Sequence, residues 1–204
     1  PGDTLTRIAN RTQRPGVALD QMLVGLFRAN PDAFAAHLKP GRSERSRLYH
    51  NLGELKFADV SDATGFDDAS WSGDAAILDG NHDGWPDIYM LNMQGHDEFY
   101  ENQGGLKFAK RSRPLFPATP WGSMGISVLD FDNDGLLDLM IVNGHVIEVI
   151  ESLQSDVTYK EKPLLLRNTG NAVFENVSSK AGTAFSREYS TRGLAIGDWN
   201  NDGA

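Results

Sequence analysis

Asp130-Phe131-Asp132-Asn133-Asp134-Gly135-Leu136-Leu137-Asp138 sets carboxylates at positions one, three, five and nine of a short stretch, with glycine at six. Alternate side chains of a tightly curled loop can surround one hard cation, and Ca²⁺ takes six to eight oxygens at about 2.3–2.6 Å. Gly135 admits the positive φ that such a turn requires. Leu136, at position seven, would offer only its carbonyl oxygen, so its side chain is free to vary.

The pattern returns twice. Asp79-Gly80-Asn81-His82-Asp83-Gly84-Trp85-Pro86-Asp87 is a second copy, and Asp198-Trp199-Asn200-Asn201-Asp202-Gly203 a third that meets the last residue, Ala204, before its ninth position. One Asp/Asn-Gly stretch is ordinary turn chemistry; three in the same context point to metal. The candidate Ca²⁺ ligands are Asp79, Asn81, Asp83, Asp87 and the Trp85 carbonyl; Asp130, Asp132, Asp134, Asp138 and the Leu136 carbonyl; and Asp198, Asn200 and Asp202. Ligand charge ranks the Asp130 loop first, the Asp79 loop second and the Asp198 loop last, and Mg²⁺, which demands strict octahedral geometry, should compete poorly. An EF-hand is excluded, because its bidentate Glu at position twelve is replaced by Met90 and Ile141. The flanks are also short, apolar and strand-like: 75–78 and 88–91, then 126–129 and 139–142.

Aligning the chain on these loops exposes a repeat. Leu48-Tyr49-His50-Asn51-Leu52-Gly53 matches Phe99-Tyr100-Glu101-Asn102-Gln103-Gly104 and Leu165-Leu166-Arg167-Asn168-Thr169-Gly170. Phe57, Phe108 and Phe174 each follow that Asn by six residues, and Asn51–Asp79 and Asn102–Asp130 are both 28 residues apart. The unit is about 51 residues, with an insertion near 144–162 in the second. Each Asn-x-Gly step reads as a hairpin turn. Four short strands per such unit indicate a β-propeller blade, with an open meander or sandwich as the alternative.

Net charge is −9, but residues 1–47 are basic and the remainder acidic. That shift marks a boundary near 40–47. The acidic part is a poor partner for nucleic acid. No apolar run is long enough to span a membrane, and with no cysteine the chain has neither disulfides nor thiolate chemistry. The N-terminal part reads as two helices, 4–12 and 17–29, broken at Pro15-Gly16. Leu19, Met22, Leu23, Leu26 and Phe27 form one apolar stripe on the second.

Two resemblances follow from these motifs. Leu-Tyr-x-Asn-x-Gly, then Lys-Phe, then Asp-x-Asp-x-Asp-Gly-x-x-Asp resembles the FG-GAP/VCBS repeat of integrin-α-like propellers across 47–204. Asn143-Gly144-His145 and the run from Arg192 to Asp198 resemble the ASPIC/UnbV group. The resemblance implies Ca²⁺ bound in the aspartate loops of a secreted or cell-surface propeller. Gly2-Asp3-Thr4-Leu5-Thr6-Arg7-Ile8-Ala9 and the run from Asp20 to Phe34 are similar to the LysM-like segment of the FimV family, which implies contact with peptidoglycan or related glycans. The expected fold is therefore mainly β: a partial β-propeller of two blades plus most of a third over 47–204, preceded by a small helical LysM-like segment at 1–42 and a linker at 43–46.

No nucleophile elbow, cysteine or zinc-protease motif is present. His96 and His145 follow glycines in equivalent places and read as loop-packing residues. The expected role is a Ca²⁺-binding extracellular, cell-surface or periplasmic propeller that engages a protein or glycan ligand and catalyses nothing. The alternative is the propeller part of a carbohydrate-active enzyme, or a glycan-binding module anchored through residues 1–42.

Overall fold

The computed structural model describes residues 45–116, 119–146, 148, 150–153 and 157–197. The stretch expected to be LysM/FimV-like, with the helices expected at 4–12 and 17–29, the start of the linker, and the third loop at Asp198, Asn200 and Asp202 lie outside these residues.

The described chain is mainly β, with three antiparallel sheets and few helical turns. The first sheet pairs β1 (Tyr49–Gly53) with β2 (Lys56–Asp59). The second is a meander of β3 (Trp71–Leu78), β4 (Asp87–Gln94), β5 (Glu98–Asn102) and β6 (Phe108–Lys110). The third repeats it with β7 (Ser123–Leu129), β8 (Asp138–Asn143), β9 (Leu164–Asn168) and β10 (Phe174–Asn176). Each is an open ladder, and the three are stacked face to face. Helical turns follow the last strand of each: α1 (Ser61–Thr64), α2 (Ser112–Leu115) and a 3₁₀ turn at Ser178–Lys180. A further turn, α3 (Ile150–Leu153), lies in the long β8–β9 connection that the sequence marks as an insertion. Among the described residues no helix is long and apolar enough to cross a membrane.

The stacking explains why β4 and β8 read as unbroken apolar runs. Both faces of β4 are covered. Ile88 and Met90 pack with Leu48, Phe66, Tyr100 and Phe108 between the first two sheets. Tyr89 and Leu91 pack with Phe99, Phe116, Leu139, Ile141 and Leu166 between the second and third. Phe116 is the aromatic hub of this second core. It meets Tyr89 edge-on at 5.0 Å, Phe99 at 5.6 Å and Phe174 in a stack at 5.0 Å.

The inner strands approach closely where glycine allows it. A Cβ on Gly73 in β3 would lie 2.5 Å from the Ser123 carbonyl oxygen of β7. A Cβ on Gly125 in β7 would lie 3.1 Å from Gly193 Cα, in the extended segment that follows the third sheet. The stacking step from the second sheet to the third is thus repeated by residues 190–194 on the third.

The sheets correct the phase of the sequence repeat. The unit counted from Asn51 to the next Asn motif contains β1 and β2 of one sheet and β3 and β4 of the next, so it straddles two sheets. Periodicity carries the period of a repeat, whereas the sheet boundary falls in the turn between β2 and β3. The linker reading also meets a firm anchor. Arg45 contacts Asp62 at 2.5 Å and the Phe66 carbonyl, and the Ser46 hydroxyl bonds Asp68 and Ser72, so the described end of the linker is tied to packed structure.

Candidate metal centre

Each complete aspartate loop joins the first two strands of a four-stranded sheet, from Leu78 to Asp87 and from Leu129 to Asp138. The chain reverses there through two left-handed residues. His82 and Asn133, at position four, have φ of 63° and 59°, and Gly84 and Gly135, at position six, both have 87°. Asparagine accepts this conformation readily and glycine freely, so the glycine reading holds in both loops.

Internal hydrogen bonds fold the two loops alike. Asp79 accepts from the Asp83 and Gly84 amides at 3.0 and 2.8 Å, and Asp130 accepts from the Asp134 and Gly135 amides at 3.1 and 3.0 Å. Asp83 and Asp134 accept from the amides of Trp85 and Leu136. The position-nine aspartates are buried and act as latches. Asp87 takes the Gly80 amide at 3.0 Å and the Asn102 amide at 2.8 Å; Asp138 takes the Phe131 amide at 3.1 Å and the Asn168 amide at 2.8 Å. Each latch ties its own loop to the third strand of its sheet.

Carboxylate oxygens of Asp130, Asp132 and Asp138 converge within 4.8 Å of one another. An all-oxygen, anionic donor set on a curled loop fits a hard divalent cation. Burial pushes the Asp138 carboxyl up, assisted by the charges of Asp132 and Asp134 and opposed by the two amides. In the first loop burial, with Asp83 and Asp79 adding to it, pushes Asp87 up to about 6. A nearby cation would reverse both shifts.

The loops differ at position three. Asn81 donates its own amide to Asp83 at 2.8 Å. Asp132 cannot donate. Instead Arg167, on β9, lies over the loop with Nε 2.5 Å from Asp132 Oδ2 and Nη2 3.0 Å from Asp134 Oδ2. The first of these is an ion pair by distance, without an aligned N–H. Pairing with Asp132 is the main reason the guanidinium is raised above its usual value. In the sequence Arg167 stands only at the variable position of the Asn motif.

The Asn motif is explained by the hairpins. Asn51, Asn102 and Asn168 each accept the amide two residues on, at 2.8, 3.0 and 2.9 Å, which closes the glycine turn. One further element escaped the sequence reading. Ser61, Ser112 and Ser178 each accept the amide of Leu48, Phe99 or Leu165 at 2.8–2.9 Å. All three stand ten residues after the motif asparagine, a periodicity that would have exposed them. The two histidines serve loop contacts. His96 Nδ1 lies 3.4 Å from Thr119 Oγ1, and buried His145 pairs its backbone with Tyr159 and Arg192.

A family model described as the FG-GAP-like repeat matches residues 79–141. That span opens on Asp79, the first residue of one loop, and closes just past Asp138, the ninth residue of the other; it does not reach residues 1–42, so the LysM/FimV-like reading gains nothing from it. No curated protein matches the chain. What the comparison establishes is that the segment carrying both complete aspartate loops is similar to the FG-GAP-like repeat.

Proposed function

We propose that this chain is a calcium-binding segment of an FG-GAP-type β-propeller, acting outside the cytoplasm as an adhesion or ligand-binding surface and not as a catalyst. The carrying observation is the convergence of the Asp130, Asp132 and Asp138 carboxylates within 4.8 Å, in a loop whose hydrogen-bonded frame recurs at Asp79. Asp134 and the Leu136 carbonyl complete an oxygen set of the size Ca²⁺ prefers, with water filling any remaining position. The cation would offset the mutual repulsion of three acidic groups that the fold holds together and would cross-brace strands one, two and three of the sheet. Extracellular modules of this kind bind at about 0.1–1 mM.

Calorimetric titration of the chain with CaCl₂, with MgCl₂ as competitor, tests the reading. Binding in that range with a calcium-dependent rise in melting temperature supports it. Absence of both heat and melting shift at 10-fold excess over about 1 mM would show that the loops are turns. A glycan array run with and without Ca²⁺ separates the two roles for the surface: retention without cleavage fits a binding module, and turnover fits the carbohydrate-active alternative.

A further inference from the structure

Ligand charge alone ranks the Asp130 loop above the Asp79 loop, but it leaves out the guanidinium that lies on the second loop. Arg167 spans Asp132 and Asp134, two of the groups assigned to the cation. Among the described residues no cationic side chain pairs with the first loop in this way. The repeat places Glu101 where the third sheet has Arg167, since Tyr100 pairs with Ile88 as Leu166 pairs with Leu139. Glu101 is turned to Gln103 and Arg111. Asn81 meanwhile satisfies Asp83 from within the loop.

We propose that Arg167 is the affinity-determining residue of the Asp130 site, a built-in counter-ion that Ca²⁺ must displace. The inference rests on the calcium reading above. A guanidinium and a divalent cation compete for the same carboxylate oxygens, and like charges a few ångströms apart repel. The arginine therefore weakens calcium at the loop with the most carboxylates and stabilises that loop while calcium is absent. The displaced side chain has a place to go. Arg167 borders an open hollow of about 320 Å³ that runs from Asp132 and Phe131 past Leu165 to Glu175 and Lys180. Strand register sets Glu175 directly opposite Arg167 on β10. Glu175 is now only loosely engaged, at 3.6 Å from Lys180 and more than half exposed. Arg167 thus pairs with the loop and stands opposite a second anionic group, Glu175, and calcium selects between them.

The test is CaCl₂ titration of the chain as parent, Arg167→Gln and Arg167→Lys, with each protein also melted in chelator. Arg167→Gln should tighten one calcium site about tenfold, the scale expected for removing one charge a few ångströms from a divalent ion at a water-exposed site. The same variant should melt lower than the parent in chelator and show the larger calcium-induced rise. A purely structural arginine would not produce this crossing of signs. Arg167→Lys keeps the charge and should bind within about threefold of the parent. Calcium binding by Arg167→Gln with parent affinity, or weaker, overturns the proposal and leaves the calcium reading standing; if Arg167→Gln does not fold, a Lys variant that tightens the site about tenfold does the same. If no variant binds calcium, both readings fall.

Discussion

Asp138→Asn separates what the loop does for the fold from what it does for a cation. Asp138 is fully buried, and its two oxygens face two different amides, Phe131 at 3.1 Å and Asn168 at 2.8 Å. An asparagine supplies one oxygen and one NH₂. Whichever way it is turned, one backbone N–H then faces a donor. An unsatisfied buried donor costs about 1–3 kcal/mol, and hydrogen bonds to a charged acceptor are the stronger kind. The substitution also removes a buried charge, which offsets part of the loss; the net is about 1–3 kcal/mol of destabilisation in chelator. Asp132→Asn is the contrast. Among the described residues Asp132 accepts no backbone amide, and it meets Arg167 at a partly exposed surface, where an ion pair contributes about 0–1 kcal/mol. Urea melts in EDTA should therefore drop for Asp138→Asn and hardly move for Asp132→Asn. In excess Ca²⁺ the parent should gain stability by mass action, about 2.7 kcal/mol at a hundred times the dissociation constant, and both variants should gain less. Parent-like stability of Asp138→Asn in EDTA, or an equal loss in Asp132→Asn, would refute the latch.

Gly73→Ala drives a Cβ to 2.5 Å from the Ser123 carbonyl oxygen and 3.3 Å from Met124 Cα, both backbone. It should cost about 1–3 kcal/mol as overpacking, while Gly193→Ala, which meets nothing within 4 Å, should stay within about 0.5 kcal/mol; equal melts of the two would break the inner-strand stacking argument. Burial pushes the Asp97 carboxyl up to about 7, against the opposing Asn92 amide and the Ser123 and Tyr89 hydroxyls. Its folded value lies above the unfolded value of about 3.9, so its protonated form contributes stability fully below pH ~4, and that contribution is lost as pH rises through about 7. Melts of Asp97→Asn from pH 4 to 8 should be flatter than the parent's, and parallel curves would count against a buried, protonated Asp97.

The loops and the motif asparagines were legible because each is a local event. Alternate carboxylates, a glycine at six and an Asx turn act within nine residues, and repetition lifts them above chance. The strands were legible as runs but not as sheets. Ile88-Tyr89-Met90-Leu91 shows no alternation, because Ile88 and Met90 enter one core while Tyr89 and Leu91 enter the next. A period also says nothing about phase, which is why the repeat counted from Asn51 cut across two sheets. Arg167 was the least legible of all. Its importance depends on the register that lays β9 beside β8, and its repeat counterparts are His50 and Glu101, so nothing at its own position marks it as part of a charged site.

The two loops are also joined. The Asn168 backbone amide holds Asp138, the latch of the second loop. Its side-chain amide donates to the Leu137 carbonyl at 3.2 Å and to the Gly80 carbonyl at 2.9 Å, and Gly80 sits inside the first loop. The Ala172 amide reaches the same Gly80 carbonyl at 3.0 Å. The Gly80 amide, in turn, is held by Asp87. A continuous run of buried hydrogen bonds therefore leads from one aspartate latch through Gly80 and Asn168 to the other. Buried polar groups are costly to leave unpaired, so a movement at either latch is opposed at both. This is why the motif asparagine and the ninth aspartate belong together in the repeat. The asparagine closes its own hairpin, and in the third sheet it also fastens one aspartate loop to the loop of the sheet before it.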